Sequence, residues 1–402
     1  MNLRVNVEEI SRQLYVFGPA WLVMMADIDV ASIITGLQSG ATWGYRMIFI
    51  MLVLTIPLFI VQDAAGRLGT ISGLGLGEAM RIRYGSRIAA LLAIPMAVTD
   101  FLEYVAEYAG MAIGVLLLGL PLVPILLVLY ITHAVVVLSS SYRKAEIAML
   151  PISFMLVASI VASALLFKPN PLLLLRSLSP LQPYGNPSFD YLLAANIGAV
   201  IMPWMLYFHS GADSRKKLRR SDLKAERLET LIGAIVSEIL MALIVIDGSH
   251  LNMVNDFLNV TELSSALAPF GSLAPLITAI GFLAAGFLAL VVISMASAWG
   301  VLEAIGHTSR KSFLIIYLLE SLPALLLVIS YNNYVELVLD LMVVYTIIIV
   351  PSLYVLGRLV ADSRVMKGTP YKFWESILYW VMTAIIVIGG VVGLIALASS
   401  PP

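Results

Sequence analysis

Polar residues along this chain are sparse and bunched. Between the bunches run apolar stretches of about 20 residues, the length a helix needs to cross a bilayer. Val115 to Leu138 and Ile377 to Ala398 are almost free of charge. Breaking at the polar loops predicts eleven segments, near 14–37, 46–66, 88–118, 121–139, 145–168, 190–212, 229–247, 272–303, 312–330, 334–357 and 373–397. The third and eighth exceed what a bilayer requires and are expected to tilt or break. Backbone in hydrocarbon must satisfy its own hydrogen bonds, so the segments are helices. The expectation is an all-α polytopic membrane protein forming one transmembrane domain. The longest outer connections, 169–189 and 248–271, read as connectors.

The placement of charge gives an orientation. With the N-terminus inside, every Lys and Arg of the 24 falls on the inner side except Arg46, Lys168 and Arg176. A wrong segment count would scramble this bias, so it supports both the count and an arrangement with N-terminus cytoplasmic and C-terminus outside.

Composition agrees. The 402 residues are 60% hydrophobic and 12% charged, where a soluble protein carries roughly a quarter charged residues. Mean hydropathy is +0.96. The absence of cysteine excludes disulfides and thiolate metal ligands. The N-terminal residues lack a signal-peptide pattern, so insertion is expected through the first segment.

Ionisable side chains at membrane depth cost several kcal/mol and default to functional hypotheses. Segment one holds ADIDVAS (26–32) near its middle. Asp29 and Ser32, three apart, would share a helical face, with Asp27 turned about 200° away from Asp29. Alternatively Asp29 or Ser32 caps a half-helix restarting within the membrane, which itself requires a broken helix, and broken helices at this depth line cavities. In segment six, Gly198 and Pro203 flank Ala199 and Met202, and the proline frees carbonyls near Ala199. Met202 taken alone reads as packing. Two disrupted segments five spans apart fit a five-plus-five inverted repeat with broken helices 1 and 6 and an ion site at the midplane. The repeats would be about 14–168 and 190–357, followed by an extra helix at 373–397.

Segment three carries Asp100, Glu103 and Glu107 at i, i+3 and i+7, one acidic stripe. Facing lipid is not tenable for three acids. They relay protons or attract cations, or they hold helices together by hydrogen bonds. His133, His209, Glu238, Glu320 and Asp340 are isolated candidates, each as readily a packing residue as a participant.

Six blocks resemble the Nramp family of divalent-metal transporters. GPAWLVMMADIDVAS (18–32) and GAVIMPWMLYFHS (198–210) stand where the family has its first- and sixth-segment motifs. VQDAAGRLGTISGLGLGE (61–78), AEYAGMAIG (106–114), YRKAE (142–146) and IGFLAAG (280–286) follow the family's order. The resemblance implies a LeuT-like fold and metal ligands at Asp29, Ser32, the Ala199 carbonyl and the Met202 thioether. Gly198 and Pro203 would shape the site beside Trp204. Ser32 stands in place of the family's Asn, Val30-Ala31 in place of its Pro-Gly, and Trp204 in place of a histidine linked to proton movement. His209 retains the second histidine and Glu107 an acid of the family's proton route. Tyr104 replaces another acid, with Glu103 or Asp100 one face along. The basic residue expected in segment nine is not evident, and Glu320 stands in that segment.

The resemblance implies a secondary transporter working by alternating access. A thioether favours Mn²⁺ or Fe²⁺ over Mg²⁺. Serine for asparagine, the missing histidine and the added acids pull instead toward a hard, hydrated ion, and an uncoupled Mg²⁺ transporter of an Nramp-related branch is the alternative. Asp27, unmatched in the family, is a second-shell or second-ion ligand or pairs with a segment-three acid. Proton coupling, if present, would run through Glu107 with Asp100 or Glu103 and past His209. A membrane enzyme is disfavoured: there is no paired-aspartate or HExxH motif and the four histidines are scattered. A transporter of organic solutes is a further alternative, although a central aspartate would repel carboxylates. The expected partners are divalent metal ions and the lipid bilayer, with no cofactor and no nucleic acid, and the protein is expected to be a monomer in the plasma membrane.

Overall fold

The computed structural model describes residues 12, 15–139, 141–330 and 335–399. Most of these are helical, with no strand among them. Segment one is two helices, α1 (Pro19–Ala26) and α2 (Val30–Trp43). After it come α3 (Ile48–Ser72), α4 (Leu76–Tyr84), α5 (Ser86–Leu117), α6 (Leu122–Val137), α7 (Tyr142–Phe167) and α8 (Pro171–Ser177). Segment six is again divided, into α9 (Pro187–Val200) and α10 (Pro203–Lys216). The remainder is α11 (Leu223–His250), α12 (Val260–Leu267), α13 (Leu273–Ile305), α14 (Arg310–Ser330), α15 (Val335–Ile348), α16 (Val350–Val360) and α17 (Phe373–Ser399).

Each predicted segment coincides with a helix or a helix pair. The third and eighth, α5 and α13, are continuous at 32 and 33 residues rather than broken. Segment ten, predicted as one helix, is interrupted between α15 and α16 at Ile349, just before Pro351. The connections expected to be plain loops carry the short helices α4, α8 and α12. Asn170 and Asn259 start α8 and α12 by accepting backbone N–H groups at their N-termini.

Burial separates centre from periphery. The most apolar window of the α9–α10 pair is 89% buried, whereas that of α17 is 28%. Leu91 and Val98 on α5 and Ile388 and Ile395 on α17 are exposed, as lipid-facing positions must be. The broken pairs sit inside, beside α5 and α13, which pack on one another and on α2 and α10.

Loops assigned to one side by charge meet one another. Arg12 Nε donates to Asp222 Oδ1 at 2.7 Å, Arg83 to Asp362 at 2.8 Å, and Arg81 Nε to the Glu303 carbonyl at 2.8 Å. On the opposite face the Tyr45 hydroxyl accepts the Asn170 N–H at 3.1 Å. The carboxylate–guanidinium pairs Arg12–Asp222, Arg83–Asp362 and Arg215–Glu303, the last at 2.8 Å, thus gather the basic loops on one face.

Candidate metal site

The first break spans Asp27 to Asp29. Asp29 adopts an extended conformation (φ −83°, ψ −177°) and its Oδ1 accepts the Ser32 N–H at 2.7 Å, capping α2. Asp29 and Ser32 therefore meet as cap and capped residue, not as two positions on one helical face. The second break lies at Ile201–Met202. Pro203 occupies the first turn of α10 and forces the preceding residue out of helical geometry, and Met202 has φ −94° and ψ 150°. Because Pro203 lacks an N–H, the Ala199 carbonyl has no partner in its own helix. It accepts the Ser32 hydroxyl at 3.2 Å, joining the two breaks.

Two acids of the α5 stripe face this junction. One carboxylate oxygen each from Asp29, Glu103 and Glu107 lies within 4.8 Å of the others, all three fully buried. Glu107 accepts the Val30 N–H with both oxygens at 3.2 Å, holding the N-terminus of α2. Asp29 Oδ2 and both Glu103 oxygens have no hydrogen-bond partner. Unpaired buried carboxylate oxygens facing one another repel, and a cation or shared protons would relieve that cost. Asp100 is buried with both oxygens unpartnered but stands outside the trio. The three-residue step to Glu103 carries it about 4.5 Å along the helix, away from Asp29.

Other predicted residues are placed as follows. Met202 and Trp204 are fully buried, with Trp204 Nε1 unpartnered. Gly198 is obligatory, because a Cβ there would land on the Met342 carbonyl oxygen. Asp27 pairs with α11 rather than with a segment-three acid: its Oδ2 accepts the Ser237 hydroxyl at 3.0 Å, next to the buried Glu238. The break separates the two aspartates: Asp27 ends α1 and meets α11, whereas Asp29 lies beyond it and caps α2. His209 sits apart from the trio, against Gln62, Asp213 and Glu226. His133 is enclosed by Tyr108, Tyr317, Ser294 and the Leu290 carbonyl. Glu320 accepts the Ser297 hydroxyl at 2.6 Å, and Asp340 the Tyr191 hydroxyl at 2.7 Å.

Sequence reasoning missed the groups that hold α1. Glu229 Oε1 on α11 accepts the N–H groups of Gly18 and Trp21 at 2.7 and 2.8 Å. The Lys216 ammonium pairs with Glu146 and donates to the Val16 and Phe17 carbonyls at 3.0 and 2.8 Å. Gly18 has φ +146°, and a Cβ there would strike the Glu146 carboxylate. The signal was available in kind: acids and a lysine at helix ends that no nearby partner in sequence could satisfy.

Two helices broken at membrane depth, their breaks joined by a side-chain contact beside a buried carboxylate cluster, define an all-helical membrane protein of LeuT-like fold. A family profile described as "Natural resistance-associated macrophage protein-like" matches residues 20–396, and the chain belongs to this, the Nramp, family. It is 25% identical over 391 residues to the divalent metal cation transporter MntH of Bacillus subtilis, an alignment covering 92% of this chain and 89% of that one. It superposes on the manganese transporter of Eremococcus coleocola with a TM-score of 0.78 at 18% identity, covering 97% of this chain and 89% of that one. MhsT in complex with L-phenylalanine gives a TM-score of 0.61 at 11% identity over 94% of this chain and 98% of that chain.

Proposed function

We propose that this chain is a secondary transporter of divalent metal cations that works by alternating access. Asp29 supplies the charge that neutralises the ion, and Ser32, the Ala199 carbonyl and the Met202 thioether complete its shell. The observation that carries this reading is the junction itself: a capping aspartate with one oxygen unpaired, one helical turn from a hydroxyl that bridges to the opposite break. The site residues are buried, so the ion would be enclosed from both faces in this conformation. The names borne by the Bacillus and Eremococcus relatives support a divalent ion. A thioether in the shell favours Mn²⁺ or Fe²⁺.

Mg²⁺ is the second reading. It is favoured by the additional carboxylates Glu103 and Glu107 within 4.8 Å and by the buried tryptophan at 204, because a hard ion prefers oxygen donors. Proton coupling would use Glu107 with Glu103 or Asp100 and pass His209. The protein is assigned to the plasma membrane as a monomer, with its arginine- and lysine-rich face cytoplasmic, its C-terminus outside, and no cofactor or catalytic activity.

Two experiments test this. In proteoliposomes, Asp29→Ala abolishes Mn²⁺ uptake while the protein remains folded; normal uptake refutes the site. Calorimetric titration with Mn²⁺ and Mg²⁺, repeated on Met202→Ala, separates the ions. Mn²⁺ binding that weakens in the variant identifies a transition-metal site, and Mg²⁺ binding indifferent to the thioether identifies a hard-ion site.

A further inference from the structure

A second constellation lies along α10 toward the basic face. His209 is seven residues beyond Met202, about 10 Å along the helix. Its Nε2 stands 3.3 Å from Glu226 Oε1 on α11 and 3.9 Å from Asp213 Oδ2, one turn further along α10. All three side chains are fully enclosed, with at most 1% of any exposed.

The hydrogen bonding around them fixes what they present to one another. His209 Nδ1 lies 3.0 Å from Gln62 Oε1, and when it donates to that acceptor the lone pair of the neutral imidazole is on Nε2. That nitrogen has no hydrogen-bond partner and points between two carboxylates. The Thr70 hydroxyl donates to Asp213 Oδ2 at 3.0 Å and the Thr230 hydroxyl to Glu226 Oε1 at 2.9 Å, which anchors both carboxylates. Asp213 Oδ1 and Glu226 Oε2 remain unpaired. The neighbouring helix clears room: at Gly66 on α3 a Cβ would strike Glu226 and come within 2.8 Å of His209 Cε1.

Three electron-rich donors converging out of water repel unless a positive charge sits among them. Atoms bound about 2.1 Å from one metal ion lie roughly 3.0–3.5 Å from each other, and the nitrogen–Glu226 separation falls in that range. A histidine whose second nitrogen donates to a fixed oxygen is the usual arrangement of an imidazole ligand. We propose that His209, Asp213 and Glu226 form a second divalent-cation site, with Gln62, Thr70 and Thr230 orienting its donors. An imidazole with two carboxylates selects first-row transition ions such as Mn²⁺, Fe²⁺ or Zn²⁺ over Mg²⁺. Its role as a station on the way to the basic face rests on the transport reading, whereas binding itself does not.

Pulsed EPR on the full-length, tag-free protein loaded with Mn²⁺ reads this directly. The donors proposed at the central site are oxygen and sulfur, so strong ¹⁴N coupling to Mn²⁺ reports imidazole ligation. The coupling is expected in the wild type, is expected to persist in Asp29→Ala, and is expected to vanish in His209→Gln. Glu226→Gln, which keeps the histidine, should weaken the ¹⁴N-coupled Mn²⁺ at least tenfold and serves if His209→Gln does not fold. Absence of ¹⁴N coupling in the wild type, or its survival in His209→Gln, overturns the site. Loss of the coupling in Asp29→Ala also overturns it. Loss of transport in Asp29→Ala with the coupling retained leaves the two sites distinguished.

Discussion

On the alternating-access mechanism proposed above, the half-helix α1 lies between the first break and the basic face and leaves its seat when the site opens there, and Glu229 holds its N-terminus. The carboxylate accepts the Gly18 and Trp21 N–H groups at 2.7 and 2.8 Å, the donors a helix leaves unsatisfied at its start. Glu229→Ala removes both acceptors in the seated state, whereas in an opened state water replaces them. A hydrogen bond to a charged group contributes about 1.5–3 kcal/mol and a neutral one about 1 kcal/mol. Two bonds that trade against water place the shift near 2–3 kcal/mol, about a 30- to 150-fold change in the seated-to-open ratio. The chain has no cysteine, so a single thiol is an unambiguous probe. Ser153→Cys suits it, because Ser153 on α7 is buried and its hydroxyl accepts the Trp21 indole N–H at 2.8 Å. When opening is fast relative to labelling, the rate with a water-soluble maleimide follows the open fraction. Glu229→Ala in the Ser153→Cys background should label about 30- to 150-fold faster, and Glu229→Gln by an intermediate factor, since its amide oxygen still accepts. A folded Glu229→Ala protein labelling within twofold of its parent would refute the latch.

Gly198→Ala drives a methyl into the Met342 backbone carbonyl, which cannot rotate aside; overpacking of this kind costs about 1–3 kcal/mol, read as a lowered melting temperature together with weakened metal binding. Asp222, on the basic face, is opposed by its burial, but the Arg12 side chain and the Arg219 N–H more than offset this and hold its carboxyl below the usual carboxylate range. A lowered folded value means the contribution is complete above the unfolded value, near 3.9, and disappears as pH falls through the folded one. The stability difference between wild type and Asp222→Asn should therefore be flat from pH 5 to 8 and shrink below about pH 4 in thermal melts. Lys216→Met leaves the enclosed Glu146 with only Arg143 as its cationic partner and frees the Val16 and Phe17 carbonyls, and should destabilise the folded protein by about 1–3 kcal/mol, measured by denaturation; a smaller loss in the double variant with Glu146→Gln would identify the weakened pairing of that carboxylate as a cause.

Hydropathy was sufficient to place the helices, because crossing a membrane imposes a length and a polarity that each segment records in its own residues. Pro203 likewise announced the second break, since a missing N–H is a local property. The first break was half legible: acids inside an apolar segment indicated a disruption and offered Asp29 or Ser32 as the cap of a restarting helix, and the extended backbone at Asp29 decided between them. Periodicity put Asp100, Glu103 and Glu107 on one stripe. Only packing decided that two of them meet Asp29 while Asp100 does not.

Other features were beyond the sequence because their partners are remote in it. Asp27 finds Ser237, His209 finds Gln62 and Glu226, and Glu229 finds Gly18, across 210, 147, 17 and 211 positions. In hydrocarbon a polar group must end beside some partner, so the sequence alone determined that each of these residues would be satisfied or poised to bind. Which partner it received was decided by how the helices pack, since a side chain's depth along its own helix is a local quantity and its neighbour across the interface is not.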